Sequence, residues 1–183
     1  MEILKYSEID LAETIKRSEQ DVNNVLDTVS EILNNVKKNG DAALKSYTEK
    51  FDGVLIDDLK VTDDEIKEFA KKSGSIIAIT GAIDLVADSN KCYVIRNGRA
   101  EMSKITGTGC QLSGMITAFL VANPQEKLEA TVAAVAAMGL AGEIAFTYMQ
   151  EGDGNTTYRN RIIDAIYNMD GKTLEEGANY EVR

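Results

Sequence analysis

Apolar residues in the first part of the chain recur at helical spacing. Between residues 22 and 36 they are separated by steps of three and four, which is the period of one face of an α-helix. These apolar positions are Val22, Val25, Leu26, Val29, Ile32, Leu33 and Val36. Lys37 and Lys38 follow, and cations in a last turn with Gly40 just beyond them are typical of a helix end. The pattern therefore predicts an amphipathic helix that ends before Gly40.

Shorter helical signals flank this stretch. Asp10 is a candidate N-cap for a helix over residues 11–17, and residues 1–7 before it are predicted to be extended. Asp41 is a candidate N-cap for a further helix, which Asp52 and Gly53 are expected to end. The beginning of the chain is therefore predicted to be helical.

The hydrophobic pattern changes near Gly74. Before this glycine, Thr62 and Glu65 have the spacing of a capping box, which predicts another helix that ends at Gly74. After it, residues 75–80 form an almost uninterrupted apolar run. Such a run predicts a strand that is buried on both faces, as in a parallel sheet covered by helices.

Two more strands are predicted in the next segments. Residues 84–88 and 91–96 are separated by Ser89-Asn90, and side chains alternate along the second segment. This pattern is typical of a meander of edge strands. Asn97-Gly98 follows and is the strongest short signal for a β-hairpin in the chain.

The longest helix is predicted over residues 126–150, after a break at Asn123-Pro124. Alanine and glycine dominate this segment and leave little side chain on its surface, so neighbouring elements can approach closely and the helix is expected to be buried. Glu143 is the only charged residue in its second half. Burying a lone carboxylate is costly, so Glu143 is expected to lie at an exposed edge or to be paired.

A helix capped near Asp153 and a final strand over residues 178–182 complete the predicted elements. The order of the elements predicts an α/β fold. We expect a small, partly parallel sheet on which helices pack in layers, with a helical N-terminal segment added.

A glycine-rich turn precedes a helix that begins near Cys110. The turn consists of Thr106, Gly107, Thr108 and Gly109. A tight turn into a helix leaves backbone N–H groups unpaired, and together with the helix dipole they form an anion site whose usual occupant is phosphate. The thiol of Cys110 would lie in the same field, which favours the thiolate. A structural turn with a half-buried cysteine explains the spacing equally well.

Composition narrows the classes of function. The chain has 183 residues and a net charge of -10, which argues against partners with a phosphate backbone and against anionic membrane surfaces. No apolar run reaches the length of a membrane span, and the N-terminus has no signal-peptide core, so a cytoplasmic protein is expected. Of the two cysteines, Cys92 is expected to be a packed thiol and no disulfide is expected. The chain contains no histidine, which leaves carboxylates, lysine, tyrosine and cysteine for proton transfer.

Residues 69–183 resemble the C-terminal part of hydroxyethylthiazole kinase. The motifs that carry the resemblance are Lys-Ile-Thr-Gly-Thr-Gly-Cys at residues 104–110, residues 79–84 upstream and residues 139–145 downstream. The resemblance implies a ribokinase-like fold and ATP-dependent phosphorylation of 4-methyl-5-(2-hydroxyethyl)thiazole in thiamine salvage. It also implies Mg²⁺ as a cofactor and a homo-oligomer, specifically a trimer.

The same resemblance assigns roles to individual residues. Cys110 matches the catalytic cysteine, Gly107 a glycine that contacts the substrate, and Thr80 a threonine that contacts ATP. Thr106 and the three residues after it match the phosphate-binding turn. No counterpart of the family's acidic magnesium positions, or of one wall of its thiazole pocket, is found before Phe69.

Residues 1–68 resemble the N-terminal segment of histidinol dehydrogenase. The resemblance is strongest from Gly40 to Gly53, and it carries none of that enzyme's zinc or base positions, which use histidines. Dehydrogenase activity is therefore excluded. The two resemblances meet within residues 65–72, and they imply a chimera with one segment over residues 1–68 and another over residues 69–183.

Three hypotheses about function remain open from the sequence. The chain is an active thiazole-alcohol kinase, or it binds phosphate or nucleotide without turnover, or it is a folded chimera without activity. Catalytic incompleteness is the favoured interpretation, because the expected magnesium carboxylates are not found. Whether Asp84 or Glu143 binds metal instead is left open.

Overall fold

The structure is a computed structural model that describes residues 10–183, with side chains described at Asp10 and from residue 25 onward. The predicted extended segment over residues 1–7 lies outside the described residues. The chain divides into two compact units, Met1–Lys60 and Val61–Arg183.

The described part of the first unit, residues 10–60, contains two helices. Helix α1 spans Leu11–Asn39, so the separate helices predicted over residues 11–17 and 22–36 are one continuous helix. Helix α2 spans Asp41–Asp52. The amide of Asn35 in α1 donates a hydrogen bond of 2.9 Å to the hydroxyl of Tyr47 in α2, which ties the two helices together.

Glycines bound α2 at both ends. Gly40 is its N-cap with a φ of 54°, so the prediction that Asp41 caps this helix is wrong. Asp41 lies in the first turn instead, where a carboxylate interacts favourably with the helix dipole. Gly53 ends the helix in the left-handed conformation, and its N–H donates to the carbonyl of Glu49, which confirms the predicted end.

The second unit begins with helix α3, Asp63–Ser73. Its N-terminus is the predicted capping box: the backbone N–H of Glu65 donates to the hydroxyl of Thr62 at 3.2 Å, and the N–H of Thr62 donates to the Glu65 carboxylate at 2.8 Å. Gly74 ends the helix with a φ of 64°, as predicted.

Four strands form the sheet of the second unit: β1 (Ile77–Ile79), β2 (Asp84–Ala87), β3 (Cys92–Ile95) and β4 (Tyr180–Val182). They are hydrogen-bonded in the order β1-β2-β3-β4, and each of the three pairings is antiparallel. The predicted strand over residues 178–182 is confirmed.

The prediction of a partly parallel sheet with β1 buried on both faces is wrong. β1 is a three-residue edge strand, and Ile79 is 37% exposed. A short apolar run by itself does not distinguish a central strand from an edge strand, because the pairing partners are decided elsewhere in the chain.

The turn of the β2–β3 hairpin lies at Asp88–Lys91, not at Asn97-Gly98. The carboxylate of Asp88 accepts hydrogen bonds from the backbone N–H groups of Asn90 (2.7 Å) and Lys91 (2.8 Å). Asn97-Gly98 leads instead into a short 3₁₀ helix, Ala100–Lys104. The hairpin signal fails there because the Asn97 side chain is engaged by distant parts of the chain.

Four helices follow: α4 (Thr108–Ala122), α5 (Lys127–Thr147), α6 (Asn155–Asn168) and α7 (Gly171–Gly177). Helix α5 has 21 residues and α1 has 29, so the prediction that α5 is the longest helix is wrong. The prediction that α5 is buried is confirmed, since Ala134, Ala141 and Ala145 have no exposed surface.

Helix α5 is central to the second unit. On one side it packs with the sheet through a cluster that includes Val86, Ile95 and Val135. On another side it packs with α6 through a cluster that includes Ala141 and Ile162. Within the described part of the chain, α5 alone is long and apolar enough to cross a membrane, and 72% of its apolar stretch is buried inside the protein, as in a core helix.

The predicted cap of α6 within residues 153–156 is confirmed. The N-cap is Gly154, whereas Asp153 accepts hydrogen bonds from the backbone N–H of Gln150 (3.0 Å) and from Arg161 (3.2 Å). Asp170 caps α7, a helix that the sequence pattern did not predict, by accepting from the N–H of Thr173 at 2.8 Å. The architecture is therefore a mixed α/β fold with an antiparallel sheet.

Candidate functional site

A cavity of about 660 Å³ opens in the second unit where several elements end. Its lining includes Thr80 and Asp84 beside β1 and β2, Arg99 after β3, and Thr108 and Gly109 at the start of α4. Residues of α5 form a further wall. Its volume lies within the range of sites that hold small molecules.

The start of α4 supplies backbone donors to this region. Gly107 is the N-cap with a φ of 98°, and the first intrahelical bond runs from the N–H of Gln111 to the carbonyl of Gly107 at 3.0 Å. The N–H groups of Thr108, Gly109 and Cys110 therefore precede the hydrogen-bonded ladder and have no acceptor within the helix. Together with the helix dipole they favour an anion.

The structure brings some of the predicted site residues together and leaves others outside the cavity lining. Thr80, Thr108 and Gly109 line one cavity, although Thr80 is far from the other two in sequence. Thr106 and Gly107 lie in the adjoining turn and are not part of the lining. Cys110 is also not part of the lining, and its side chain is exposed on the first turn of α4.

The other cysteine is confirmed as a packed thiol. Cys92 has no exposed surface and lies in a cluster with Ile66 and Ala87. Burial raises the pKa of its thiol, so the thiolate is disfavoured. Cys110 is therefore the cysteine that solvent and ligands reach.

Asp84 holds the turn that follows β1. Its carboxylate accepts a hydrogen bond of 2.8 Å from the backbone N–H of Gly81. Burial raises the pKa of the Asp84 carboxyl, and this effect outweighs the lowering by that hydrogen bond. Asp84 is the one carboxylate among the described residues that line the cavity.

A polar cluster fixes the chain where it leaves β3. Glu143 on α5 accepts a hydrogen bond of 2.7 Å from the N–H of Gly98. The Asn97 amide, only 7% exposed, donates to the carbonyl of Gly177 at 3.0 Å, and its oxygen accepts from the N–H of Asn179 at 2.7 Å. Of the two alternatives expected for Glu143, an exposed edge or a paired carboxylate, the second is confirmed. Asn97, Gly98 and Glu143 form one hydrogen-bonded cluster.

The close approach of α5 to this cluster requires glycine at position 139. A Cβ atom there would lie 2.7 Å from the backbone carbon and oxygen of Asn97, closer than real contacts allow. The small residues of α5 are therefore packing positions, as predicted. Sequence reasoning did not identify Asn97 as part of a site wall, although the isolated charge at Glu143 was a signal that α5 meets polar groups.

Arg99 is a second lining residue that sequence reasoning missed. Its guanidinium donates to the carboxylate of Glu101 from Nε (3.1 Å) and Nη2 (3.2 Å). The guanidinium carbon also lies 3.9 Å from the centroid of the Phe146 ring. No motif marks this arginine, because the contacts that hold it come from α5 and from the 3₁₀ helix.

Magnesium ligands are not assembled in the described part of the chain. No group of three or more histidine, cysteine, aspartate or glutamate side chains is arranged to hold a metal ion there. Glu143 uses its carboxylate on the N–H of Gly98 instead. The described residues therefore do not fit a magnesium site of their own.

Comparison with solved structures defines the fold. The structure of a hydroxyethylthiazole kinase protein from Pyrococcus horikoshii OT3 is similar to this chain, with a TM-score of 0.58 and 26% sequence identity. The match covers 65% of this chain and 45% of the other. The fold is thus of the ribokinase-like kind, as the sequence resemblance implied.

Comparison of sequences defines the family. The sequence model of the hydroxyethylthiazole kinase family matches residues 20–172. A hydroxyethylthiazole kinase from Clostridium acetobutylicum is 52% identical over 129 residues, which is 67% of this chain and 47% of that protein. One from Arabidopsis thaliana is 38% identical over 113 residues, which is 62% of this chain and 40% of that protein. The chain belongs to the hydroxyethylthiazole kinase family.

The chain spans about half the length of the curated relatives it matches. The family match begins at residue 20, within residues 1–68, the segment for which an origin in histidinol dehydrogenase was predicted. That second resemblance, and the chimera inferred from it, stay predictions.

Proposed function

We propose that the second unit binds ATP in the cavity and holds its terminal phosphate against the start of α4, for transfer to the hydroxyl of 4-methyl-5-(2-hydroxyethyl)thiazole. One observation carries the proposal: Thr80 and Thr108, distant in sequence, line the same cavity beside the N-terminus of a helix. Membership of the hydroxyethylthiazole kinase family supports the same reaction.

The residues have separate roles in this proposal. Thr80 contacts ATP at the end of β1. The turn of Thr106, Gly107, Thr108 and Gly109 holds phosphate, with the free backbone N–H groups at the start of α4 as the donors. Gly107 also contacts the thiazole alcohol. Cys110, on the first turn of the helix, lies beside the attacking hydroxyl.

Phosphoryl transfer depends on positioning and on neutralising charge on the phosphates. The free N–H groups at the start of α4 supply partial positive charge at a fixed place. Magnesium supplies further charge neutralisation when it is bound, but the described carboxylates are not grouped to hold it. We therefore propose that the chain by itself binds nucleotide and is catalytically incomplete; a folded chimera without activity is the alternative.

A coupled kinase assay with the thiazole alcohol and magnesium-ATP tests the catalytic part. We compare the wild-type protein with Cys110→Ala, and with Ser113→Ala as a control on the exposed face of the same helix. If Cys110 acts in the reaction, its substitution lowers kcat at least tenfold while the control stays within about twofold of wild type. Measurable turnover in the wild-type protein that is equal in all three proteins would contradict the role of Cys110, whereas no turnover in any of them is the result expected of a catalytically incomplete chain.

We further propose that residues 1–68 are a separate segment of histidinol dehydrogenase origin, joined to residues 69–183. The motif from Gly40 to Gly53 supports this proposal. Hydrogen exchange tests it: a segment of separate origin is expected to lose protection in α1 and α2 at lower denaturant than in α5. Simultaneous loss in all three helices would contradict two independent units.

The state of assembly is a further proposal. We propose a homo-oligomer, a trimer by resemblance, and a cytoplasmic location. Exposed apolar side chains in the first unit, among them Leu26, Leu33 and Leu55, support self-association. Sedimentation velocity over a tenfold range of concentration is expected to show a trimer, and a monomer at every concentration would contradict it.

A further inference from the structure

The cavity contains one cationic side chain among the described residues that line it. Arg99 and Asp84 are the ionisable side chains of that lining. A nucleotide polyphosphate carries several negative charges, which the backbone N–H groups of one helix end balance only in part. The charge of Arg99 is thus placed where such a ligand needs it.

Contacts hold the Arg99 side chain in one orientation. The guanidinium lies over the Phe146 ring, and Glu101 accepts from Nε and Nη2. A guanidinium has five N–H donors, so the donors on Nη1 are not used by this carboxylate. The contact with the Phe146 ring does not depend on Glu101, and an arginine held against a ring loses little further freedom when it binds an anion.

The backbone that carries Arg99 is also fixed. Asn97 and Gly98, the two residues before it, are bound to Glu143, to the carbonyl of Gly177 and to the N–H of Asn179. Gly139 brings α5 directly against Asn97. Arg99 is therefore presented to the cavity by a rigid segment and not by a free loop.

We propose that Arg99 binds the β- and γ-phosphates of a nucleotide held in this cavity, together with the backbone N–H groups at the start of α4. The inference rests on the proposed function, because it takes the occupant of the cavity to be a nucleotide. It adds a binding residue and a specificity: the contribution of Arg99 increases with the number of phosphates. Glu101 competes with the phosphates for the same guanidinium.

Binding of ATP, ADP and AMP, measured by isothermal titration calorimetry, tests the proposal. Arg99→Ala is expected to weaken ATP binding about tenfold and AMP binding less than twofold, since a charge-assisted hydrogen bond to phosphate is lost. Arg96→Ala is the matched control. Arg96 pairs with one carboxylate, Glu181, and has a similar exposure (41% against 40%), but it does not line the cavity. Arg96→Ala is expected to keep the affinities for ATP, ADP and AMP within about twofold of the wild-type values.

A second variant changes affinity in the opposite direction. Glu101→Gln removes the competing carboxylate and is expected to strengthen ATP binding two- to fivefold with little effect on AMP, a result that partial unfolding cannot produce. Equal losses for ATP and AMP in Arg99→Ala, or unchanged ATP binding in both variants, would overturn the role of Arg99 while the nucleotide site stands. A wild-type protein that binds none of the three nucleotides would overturn the proposed function together with this inference.

Discussion

The contact between Gly139 and Asn97 predicts a large effect for a small substitution. In Gly139→Ala the new Cβ would lie 2.7 Å from the backbone carbon and oxygen of Asn97. Asn97 cannot retreat freely, because its side chain is bound to Gly177 and Asn179. The added methyl group must therefore push α5 and the segment after β3 apart.

The expected change in the unfolding free energy of Gly139→Ala is the sum of an unfavourable and a favourable contribution. Overpacking a rigid contact costs about 1–3 kcal/mol. Replacing glycine by alanine inside a helix returns about 0.5–1 kcal/mol. The net loss of unfolding free energy is at most about 2.5 kcal/mol and centres on about 1 kcal/mol, which corresponds to a fall in Tm of roughly 2–4 °C for a chain of this size.

Calorimetric and circular-dichroism melts of the full chain measure this effect, with Gly114→Ala as the matched control. Gly114 lies inside α4, and a Cβ there meets no atom within 4 Å. The same chemical change is therefore expected to raise stability by about 0.5–1 kcal/mol at Gly114 and to lower it at Gly139. Two variants that shift Tm in the same direction would refute the argument from the close contact.

Three further predictions concern the same unit. Glu143→Ala leaves the N–H of Gly98 without its acceptor and is expected to lower the free energy of unfolding by about 1–3 kcal/mol, as measured by urea unfolding. Glu143→Gln keeps an acceptor oxygen and is expected to recover at least half of that loss. Equal losses in the two variants would contradict the hydrogen bond between Glu143 and Gly98. The pKa of Asp84 is raised in the folded chain, so ionisation of this carboxyl lowers the free energy of unfolding. The loss is present at pH values above the raised pKa, and the free energy of unfolding increases again as the pH falls through it. Asp84→Asn is therefore expected to be more stable relative to wild type at pH 7 than at pH 4, and a difference that does not change with pH would argue against burial as the cause. Iodoacetamide is expected to alkylate Cys110 in the native protein and Cys92 only after unfolding, as read by peptide mass spectrometry; native labelling of Cys92 would contradict its burial.

Local signals in the sequence predicted several of the helix ends correctly. The capping box of Thr62 and Glu65 and the glycine ends at Gly53 and Gly74 are all present in the structure. Each of these features depends on a few neighbouring residues. Their outcome is decided within one turn of helix, so the sequence pattern alone is sufficient.

Features that depend on distant partners were predicted poorly. The apolar run near Ile79 is an edge strand because its neighbour in the sheet is β2 alone. Asn97-Gly98 does not form a hairpin because Gly177, Asn179 and Glu143 bind these residues. No local pattern contains these contacts.

The candidate site also contains a part that was predicted from a local motif and a part that depends on distant contacts. Gly107 and the turn before α4 were recognised from their motif, and the start of the helix agrees with it. Arg99 and Asn97 belong to the cavity region only because α5 and the end of the chain hold them there. The sequence pattern thus identified the turn but not these two other residues of the cavity lining.

The most direct test of the central claim is a thermal melt with and without magnesium-ATP, because a ligand that binds only the folded state raises the midpoint. Gly107→Ala is compared with Gly152→Ala, since both glycines have a similar positive φ (98° and 91°) and neither has an atom within 4 Å of a new Cβ. Both variants are expected to lose a similar amount of stability without ligand, because alanine is strained at a positive φ. We predict a saturable rise in Tm with magnesium-ATP for the wild-type protein and for Gly152→Ala, and none for Gly107→Ala. A melt of the wild-type protein that is indifferent to magnesium-ATP, or an equal rise in all three proteins, would contradict a nucleotide site at the start of α4.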